Sequence, residues 1–210
     1  MEIKDLSDFK SEEIDKLMDK IPFFKELKVQ TGGHLGLLLD TSCIVELQPG
    51  EVIMQRGDRG SWLYFLIKGS LAVYLDDPGS SKPLNRITPG ELFGDLALLC
   101  DHERKATVAA EAGKKNALLF AIDFKPFGDL LNFDKVDLIT KLAFYRTMVH
   151  SIRWRLEVNR MANPSHPLAL ELRRVPTFKG EKNSESELKS IHEQAQFLAS
   201  MLDRWNSSSE

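Results

Sequence analysis

The sequence has few of the features that mark disulfide-bonded, secreted or membrane-spanning proteins. It contains two cysteines, Cys43 and Cys100, whose spacing is not that of a metal site, and so small a number favours a reducing compartment. It lacks a run of about 18 apolar residues that could span a bilayer. Its opening residues, MEIKDLSDFK, lack the apolar core of a signal peptide. We therefore expect a cytoplasmic protein with no membrane association.

An excess of charge of one sign is also missing. The 28 Lys and Arg residues are balanced by 31 Asp and Glu, which disfavours a surface devoted to nucleic acid while leaving room for a local basic patch. The five histidines are scattered, and neither a nucleophile signature nor paired metal ligands stand out. We expect no catalytic residues, no metal and no cofactor, and hence not an enzyme.

Short apolar runs dominate residues 43 to 124. The runs CIVEL, EVIMQ, SWLYFLI, SLAVYL, ATVAAE and ALLFAI are rich in β-branched and aromatic residues, and Gly and Pro turn signals such as Pro49-Gly50 and Pro89-Gly90 separate them. Many short strands with such turns are typical of a β-barrel or jelly roll. The predicted fold class is therefore mainly β with flanking helices.

The flanking helices are predicted on both sides of this segment. Residues 11 to 40 read as a helical lead-in, which Pro22 interrupts before Phe23 and Phe24 begin an apolar docking segment. Residues 134 to 162 read as one long helix, with an apolar seam that steps by 4 and 3 through Leu138, Leu142, Tyr145, Val149, Ile152, Leu156 and Asn159. Packing of the seam on the barrel and pairing with a second copy are both open, and the arginines on its flanks favour the copy.

The tail, 163 to 210, is predicted to contain one amphipathic helix, from a capping box at Ser184 and Glu187 to Trp205. Residues 164 to 210 hold six Lys and Arg against seven Asp and Glu, and a DNA-reading motif needs two helices joined by a turn. DNA binding is therefore disfavoured. The predicted domains are a barrel with N-terminal helices over 1–133, the long helix over 134–162, and the tail over 163–210.

The stretch FGDLALLCDHERKATV, residues 93 to 108, carries the strongest functional signal. Within the predicted barrel it resembles the phosphate-binding cassette of the cyclic nucleotide-binding domain family, and LQPGEVIMQRGDRGSWLYFLIKGSLAVY has that family's Pro-Gly-Glu and Gly-Asp-x-Gly motifs. The resemblance runs from about Ile21 to Leu131, and the long helix is similar, more loosely, to the dimer helix of the catabolite activator branch. It implies a nucleotide-binding jelly roll, and the composition of the tail argues against a helix-turn-helix after the long helix.

The resemblance assigns roles within the cassette. Arg104 would hold the cyclic phosphate, because its planar guanidinium matches two phosphate oxygens. Gly94 would allow the ligand to approach closely. The family's short helix would direct the first amides, near Leu96 and Ala97, at the phosphate. Lys105, Ala106 and Thr107 follow Arg104 into the next strand, and Lys105 stands where the family has a small residue.

Asp95 is the larger departure, because the family places Glu here to accept the ribose 2′-hydroxyl. The shorter side chain implies a water-mediated contact or a site that has drifted from nucleotides. Two plainer interpretations stay open, with Asp95 capping the short helix and Arg104 an ordinary surface residue. For the base, the resemblance points to Asn159, with Arg160 as a weaker candidate, although Asn159 could equally fix the register of a dimer.

The sequence thus predicts a homodimeric sensor, paired through the 134–162 helix, that binds cyclic AMP, or with less support cyclic GMP, and regulates an effector protein. The alternatives are a scaffold that keeps the fold without the nucleotide and, with less support, a transcription regulator. We also expect Arg104→Ala to abolish binding and leave the fold intact.

Overall fold

The structure is a computed structural model of the chain, and it describes every residue except 32–34, 76–77, 79–81, 101–102, 176 and 209–210. It divides into two compact units, Met1–Pro126 and Phe127–Glu210. Each unit is described by itself.

Two antiparallel sheets form the centre of the first unit. Its strands are β1 (Glu2–Asp5), β2 (Ser42–Leu47), β3 (Val52–Met54), β4 (Trp62–Lys68), β5 (Leu71–Tyr74), β6 (Asn85–Ile87), β7 (Leu92–Phe93), β8 (Thr107–Ala110) and β9 (Ala117–Asp123). One sheet has the order β1-β2-β9-β4-β7 and the other β3-β8-β5-β6. The predicted class, mainly β with flanking helices, is confirmed.

The apolar alternation of the strands builds the core between the sheets. Within the larger sheet, Val45 of β2 lies opposite Leu119 of β9, and Leu119 lies opposite Leu66 of β4. The buried cluster comprises Val45, Leu47, Tyr64, Leu66, Leu71, Ile87, Phe93, Val108, Ala110, Ala117, Leu119 and Ala121. Burying these side chains gains about 25 cal/mol for each Å² of apolar surface, so this cluster stabilises the frame that carries the cassette.

Short helices flank the strands of the first unit. The first unit contains a 3₁₀ turn (Leu6–Asp8), α1 (Ser11–Met18), α2 (Pro22–Thr31), α3 (Gly36–Asp40) and α4 (Asp95–Leu99), and α5 (Lys125–Gly128) follows β9. Pro22 interrupts the lead-in as predicted, since α1 ends at Met18. It also begins α2, because a helix's first residue needs no N–H partner. Phe24 of α2 packs on Phe120, with ring centroids 4.8 Å apart.

The second unit is built on two long helices. These are α6 (Leu138–Ala162) and α8 (Glu185–Ser207), with the short α7 (Pro167–Leu172) between them. Asp137 caps α6 by accepting a hydrogen bond from the Thr140 N–H at 2.9 Å. Ser184 caps α8 as predicted, its Oγ accepting from the Glu187 N–H at 3.2 Å. Helix α7, which begins with Pro167 and is capped by His166, was not predicted from the sequence.

The apolar seam of α6 is largely covered by the protein's own chain. The buried seam residues are Leu142, Tyr145, Ile152 and Leu156, and α6 packs along α8, whose buried face includes Leu188, Ile191, Ala195, Leu198 and Leu202. Tyr145, for example, contacts the His192 ring edge-on at 5.1 Å between centroids. The expectation that these residues meet a second copy is therefore wrong, because an intramolecular helix pair produces the same spacing of apolar residues as a dimer seam.

Candidate functional site

The predicted cassette lies at the edge of the larger sheet, where β7 ends. Gly94 follows β7 with a φ of 89°, a left-handed conformation that glycine adopts without strain, and it forms the N-cap of α4. The chain then passes through α4 and residues 101 and 102, which lie outside the described part, to reach Arg104 just before β8. The sharp turn at Gly94 brings the start of α4 next to Arg104.

The Arg104 side chain is buried, with only 5% of its surface exposed. Its Nη1 donates to the carbonyl oxygen of Gly94, and its Nη2 donates to those of Gly60 at 3.2 Å and Trp62 at 2.8 Å. The guanidinium thus ties together three segments that are distant in sequence. The interpretation of Arg104 as an ordinary surface residue is wrong, because the side chain is buried and bonded to three carbonyls. That Arg104→Ala leaves the fold intact stays a prediction.

Two glycines make space around the guanidinium. A Cβ added at Gly94 would lie 3.2 Å from Arg104 Nη1 and 3.2 Å from the Trp62 carbonyl oxygen, which is closer than ordinary contact. A Cβ at Gly60 would lie 3.5 Å from Arg104 Nη2. The missing side chain at Gly94 thus lets the backbone approach the arginine closely, whereas a side chain at Gly60 would make only ordinary contact.

The backbone of Arg104 is fixed as firmly as its side chain. Its N–H donates to the Asp58 carbonyl oxygen at 2.8 Å, and its own carbonyl accepts from the Gly57 N–H at 2.8 Å. Gly57 and Asp58 belong to the Gly-Asp-x-Gly motif, so the backbone of this motif holds the backbone of Arg104 in place. Asp58, Gly60 and Trp62 were not predicted as site residues, although the motif that contains the first two was noted.

Asp95 is the first residue of α4 and only 1% exposed. Gly94, rather than Asp95, occupies the N-cap position, so the capping interpretation of Asp95 is wrong in that form. Burial, the largest influence, lowers the pKa of the Arg104 guanidinium, whereas interactions with Tyr64, Asp95 and Asp58 raise it. Asp95 and Arg104 therefore lie within electrostatic range of each other in a poorly solvated place.

The remaining cassette residues differ in how far they are available. Leu96 and Ala97 are half-buried at the start of α4, Ala106 is half-buried, and Lys105 is exposed. The Thr107 side chain is buried, and its Oγ1 accepts a hydrogen bond from the Arg56 N–H at 3.1 Å, which gives it a structural partner. Among these residues, Thr107 is thus the one with an evident role in holding the fold.

The two residues expected to contact the base belong to the second unit. Asn159 and Arg160 are half-buried near the end of α6. The Asn159 carbonyl accepts from the Asn163 N–H at 2.9 Å, and Arg160 Nε donates to Glu157 at 2.6 Å, so Arg160 already has an acidic partner one helical turn away. Their assignment as base-contacting residues stays a prediction.

Within the described residues, no cluster of three or more His, Cys, Asp or Glu is arranged to hold a metal ion. None of the helices in the described part of the chain combines the length and the apolar character that crossing a membrane requires.

The cassette lies within a segment that is similar to known proteins. The family model described as cyclic nucleotide-binding domain matches residues 44–132. The type II regulatory subunit of the cAMP-dependent protein kinase of Drosophila melanogaster is 37% identical over 98 residues, which cover 47% of this chain and 24% of that protein. The cGMP-dependent protein kinase of Plasmodium berghei is 31% identical over 109 residues, or 52% of this chain and 12% of that protein.

One of the solved structures to which the chain is similar is a co-crystal of the regulatory domain of Toxoplasma gondii PKA with cAMP. It is 20% identical with a TM-score of 0.44, and the match covers 68% of this chain and 54% of that one. The chain spans a quarter or less of the two kinase proteins above. The matched model includes the Gly-Asp-x-Gly turn, Gly94, Asp95 and Arg104. Residues 44–132 thus match the model of the cyclic nucleotide-binding domain family.

Proposed function

We propose that this protein binds a cyclic mononucleotide, with cyclic AMP favoured over cyclic GMP, at the start of α4. The observation that carries the proposal is the buried Arg104 beside Gly94 and Asp95 in a matched domain. A guanidinium has five N–H donors, so its three bonds to carbonyls do not exhaust it. A cyclic phosphate would complete the coordination of this cation.

The other cassette residues would arrange the rest of the nucleotide. The ribose would lie towards Asp95, through a water molecule where the shorter side chain does not reach. The preference for cyclic AMP rests on Lys105, since the cyclic GMP-binding members that the sequence resembles often have Thr at this position. We expect modest affinity, because Asp95 replaces the family's Glu.

We further propose that the protein is a sensor that passes its ligand state to an effector protein. The relatives named above are regulatory or kinase proteins, which supports this role. The nucleotide would shift the population between two arrangements by binding one of them more tightly. Asn159 or Arg160 of α6 would contribute to the base in the bound arrangement.

Homodimerisation through α6 would use a different face from the covered seam. Trp154, Val158 and Met161 are large, exposed apolar side chains, and they lie on one face of the helix at spacings of 4 and 3. A two-fold pair would present this face twice. Trp154→Glu should convert a sedimenting dimer to monomer, whereas a parent protein that sediments as a monomer at micromolar concentration would remove this part of the proposal.

A scaffold without nucleotide is the second candidate. It is favoured by the three backbone carbonyls that already surround the Arg104 guanidinium. A thermal-shift screen with cyclic AMP, cyclic GMP and cyclic dinucleotides separates the two candidates. A ligand at 100 times its dissociation constant adds about 2.7 kcal/mol to the unfolding free energy. No shift with any of them at millimolar concentration would promote the scaffold.

A further inference from the structure

Three positions in the chain have an arginine three residues before a serine or threonine. The pairs are Arg104 with Thr107, Arg174 with Thr177, and Arg204 with Ser207. Many protein kinases recognise an arginine at this spacing, because carboxylates in their substrate groove pair with the guanidinium fork. The sequence alone does not separate the three positions, but their structural settings differ.

Thr107 is closed to such an enzyme. It lies in β8, opposite Tyr74 of β5, and only 4% of its surface is exposed. Its hydroxyl holds the Arg56 N–H, and its arginine, Arg104, is buried among carbonyls. A kinase would have to open the barrel to reach either group.

Ser207 is exposed, but helical geometry and existing bonds hold it. It is the last residue of α8, and its Oγ donates to the Asp203 carbonyl at 3.0 Å. Arg204 makes a two-pronged contact with Glu171, at 3.2 and 3.1 Å. A kinase groove reads an extended acceptor segment, so it would have to unwind the helix end and break this ion pair.

Thr177 has the opposite setting. It is exposed in the connection between α7 and α8, and residues 177–179 are neither helix nor strand. Arg173 and Arg174 are exposed too. Pro176 lies outside the described residues, but a proline at this position disfavours helical backbone at the residue before it.

The connection is anchored on both sides of Thr177. Val175 is buried, and Phe178 is half-buried with the Lys182 ammonium 6.0 Å from its ring centroid. Thr177, which lies between these two apolar residues, is exposed. Arg173, Arg174 and Thr177 are therefore exposed, and all three lie outside α7 and α8.

We propose that Thr177 is a phosphorylation site for an arginine-directed serine/threonine kinase. Its Oγ1 would attack the γ-phosphorus of ATP, forming the O–P bond as the bond to the β-phosphate oxygen breaks. ADP would leave with that electron pair, and the hydroxyl proton would pass to the kinase's base. The phosphate would add a charge of about −1.5 to −2 beside Arg173, Arg174 and Lys179, where charge-assisted hydrogen bonds would order the connection.

The test uses the full chain with magnesium ATP and the purified catalytic subunit of cAMP-dependent protein kinase, followed by peptide mass spectrometry. We expect phosphate on the Thr177 peptide as the dominant product. Thr177→Ala should remove at least about nine-tenths of the incorporation, while the matched Ser207→Ala variant keeps it. Equal melting curves by circular dichroism would show that both variants are folded.

The arginines supply a second measurement. Arg174→Ala should lower kcat/KM for phosphorylation at least about tenfold, and Arg173→Ala should lower it less. The proposal is overturned by dominant phosphate on Ser207 or Thr107, by no incorporation into a chain incubated beside a peptide that is labelled, or by an unchanged rate for Arg174→Ala. The experiment contains no cyclic nucleotide, so its outcome does not depend on the proposed ligand.

Discussion

Both units of the molecule bury charged side chains, but they surround them differently. In the second unit, Lys141 is fully buried and Glu187 is 1% exposed, while in the first unit Arg104 and Asp95 are buried at the start of α4. Burying an ion is expensive unless it is paired and hydrogen-bonded. Each of the four residues therefore needs partners for its charge, and the surroundings of these residues differ between the two units.

In the second unit the buried charges serve the fold. The Lys141 ammonium donates to the carbonyls of Asp129, Leu130 and Asn132, at 2.5, 3.3 and 2.7 Å, and so fastens the segment before α6 to that helix. Glu187 pairs with Arg146 at 2.8 Å and accepts the Asn183 N–H at 2.6 Å, which joins the start of α8 to α6. Both buried charges therefore stabilise the contacts of α6 with the segments that pack against it.

In the first unit the buried charge lies among glycines. Gly94 and Gly60 leave room beside the Arg104 guanidinium, where other residues would place a Cβ against it. Burial of a charge therefore does not by itself indicate a binding site. What distinguishes the cassette is a buried cation with unfilled donor capacity next to backbone that has no side chains.

Removing the Arg104 side chain should have the largest effect, because it should lower both the affinity for cyclic AMP and the stability of the first unit. Arg104→Ala should weaken cyclic AMP binding at least about 100-fold, since two hydrogen bonds to a charged phosphate are worth about 3 kcal/mol or more. It should also lower the unfolding free energy by about 2–3 kcal/mol, because three carbonyls lose their donor. Calorimetry and urea denaturation measure the two effects.

Arg104→Lys is the matched control, because it keeps the charge but loses the fork that spans three carbonyls. It should lie between the parent and Arg104→Ala in both measurements. Full stability in Arg104→Ala would show that the bonds to Gly60, Trp62 and Gly94 do not hold the barrel together.

Lys141→Met tests whether the buried charge of the second unit serves stability rather than binding. Methionine keeps most of the volume, but the three carbonyls lose the ammonium, so we expect a loss of about 2–3 kcal/mol in unfolding free energy. Cyclic AMP affinity should stay within about threefold of the parent. A large loss of affinity at unchanged stability would instead make Lys141 part of the binding response.

The Glu187 contact predicts a pH dependence in the second unit. Burial, the largest influence, raises the pKa of Glu187, but hydrogen bonds from Arg146 and Asn183 and the charges of Arg146 and Lys182 outweigh it, so the pKa is lowered from its ordinary 4.5. Its contribution to stability is therefore complete above that ordinary value and is lost as the pH falls through the lowered value. Glu187→Gln should flatten the fall in urea midpoint between about pH 5 and pH 3; an unchanged profile would contradict the assignment.

The smallest expected effect comes from Asp95→Glu. The longer side chain restores the family's reach to the ribose, so cyclic AMP binding should tighten by about three- to tenfold. Asp95→Asn, which removes the charge at nearly constant size, should weaken it. Titration calorimetry distinguishes the two, and weaker binding by Asp95→Glu would mean that Asp95 fits some other ligand.

The barrel was predictable because its alternation of apolar residues is local and periodic. The cassette was predictable because Gly94, Asp95 and Arg104 lie within one short stretch. The carbonyl partners of Arg104 were not, since Gly60 and Trp62 precede it by 44 and 42 residues and meet it through the pairing of distant strands. Contacts of this kind depend on how the strands pair, which no local pattern specifies.

The seam of α6 shows a different limit. Leu142, Tyr145, Ile152 and Leu156 have a spacing that suits any long helical partner, and α8 of the same chain is that partner. The apolar period of α8 was recognised, but a periodic face does not name what covers it. Pro22 was correctly predicted to interrupt the lead-in, but its place as the first residue of α2 was not predicted, because a proline suits the first turn of one helix as well as the end of another.

A calorimetric titration series that compares the affinities of cyclic AMP and adenosine tests whether Arg104 holds a cyclic phosphate. The two ligands share the base and the ribose ring, and adenosine lacks the phosphate. We predict saturable binding of one cyclic AMP per chain and at least about tenfold weaker binding of adenosine, a gap that Arg104→Ala closes. Equal affinities for the two ligands, or no binding of millimolar cyclic AMP, would contradict the claim.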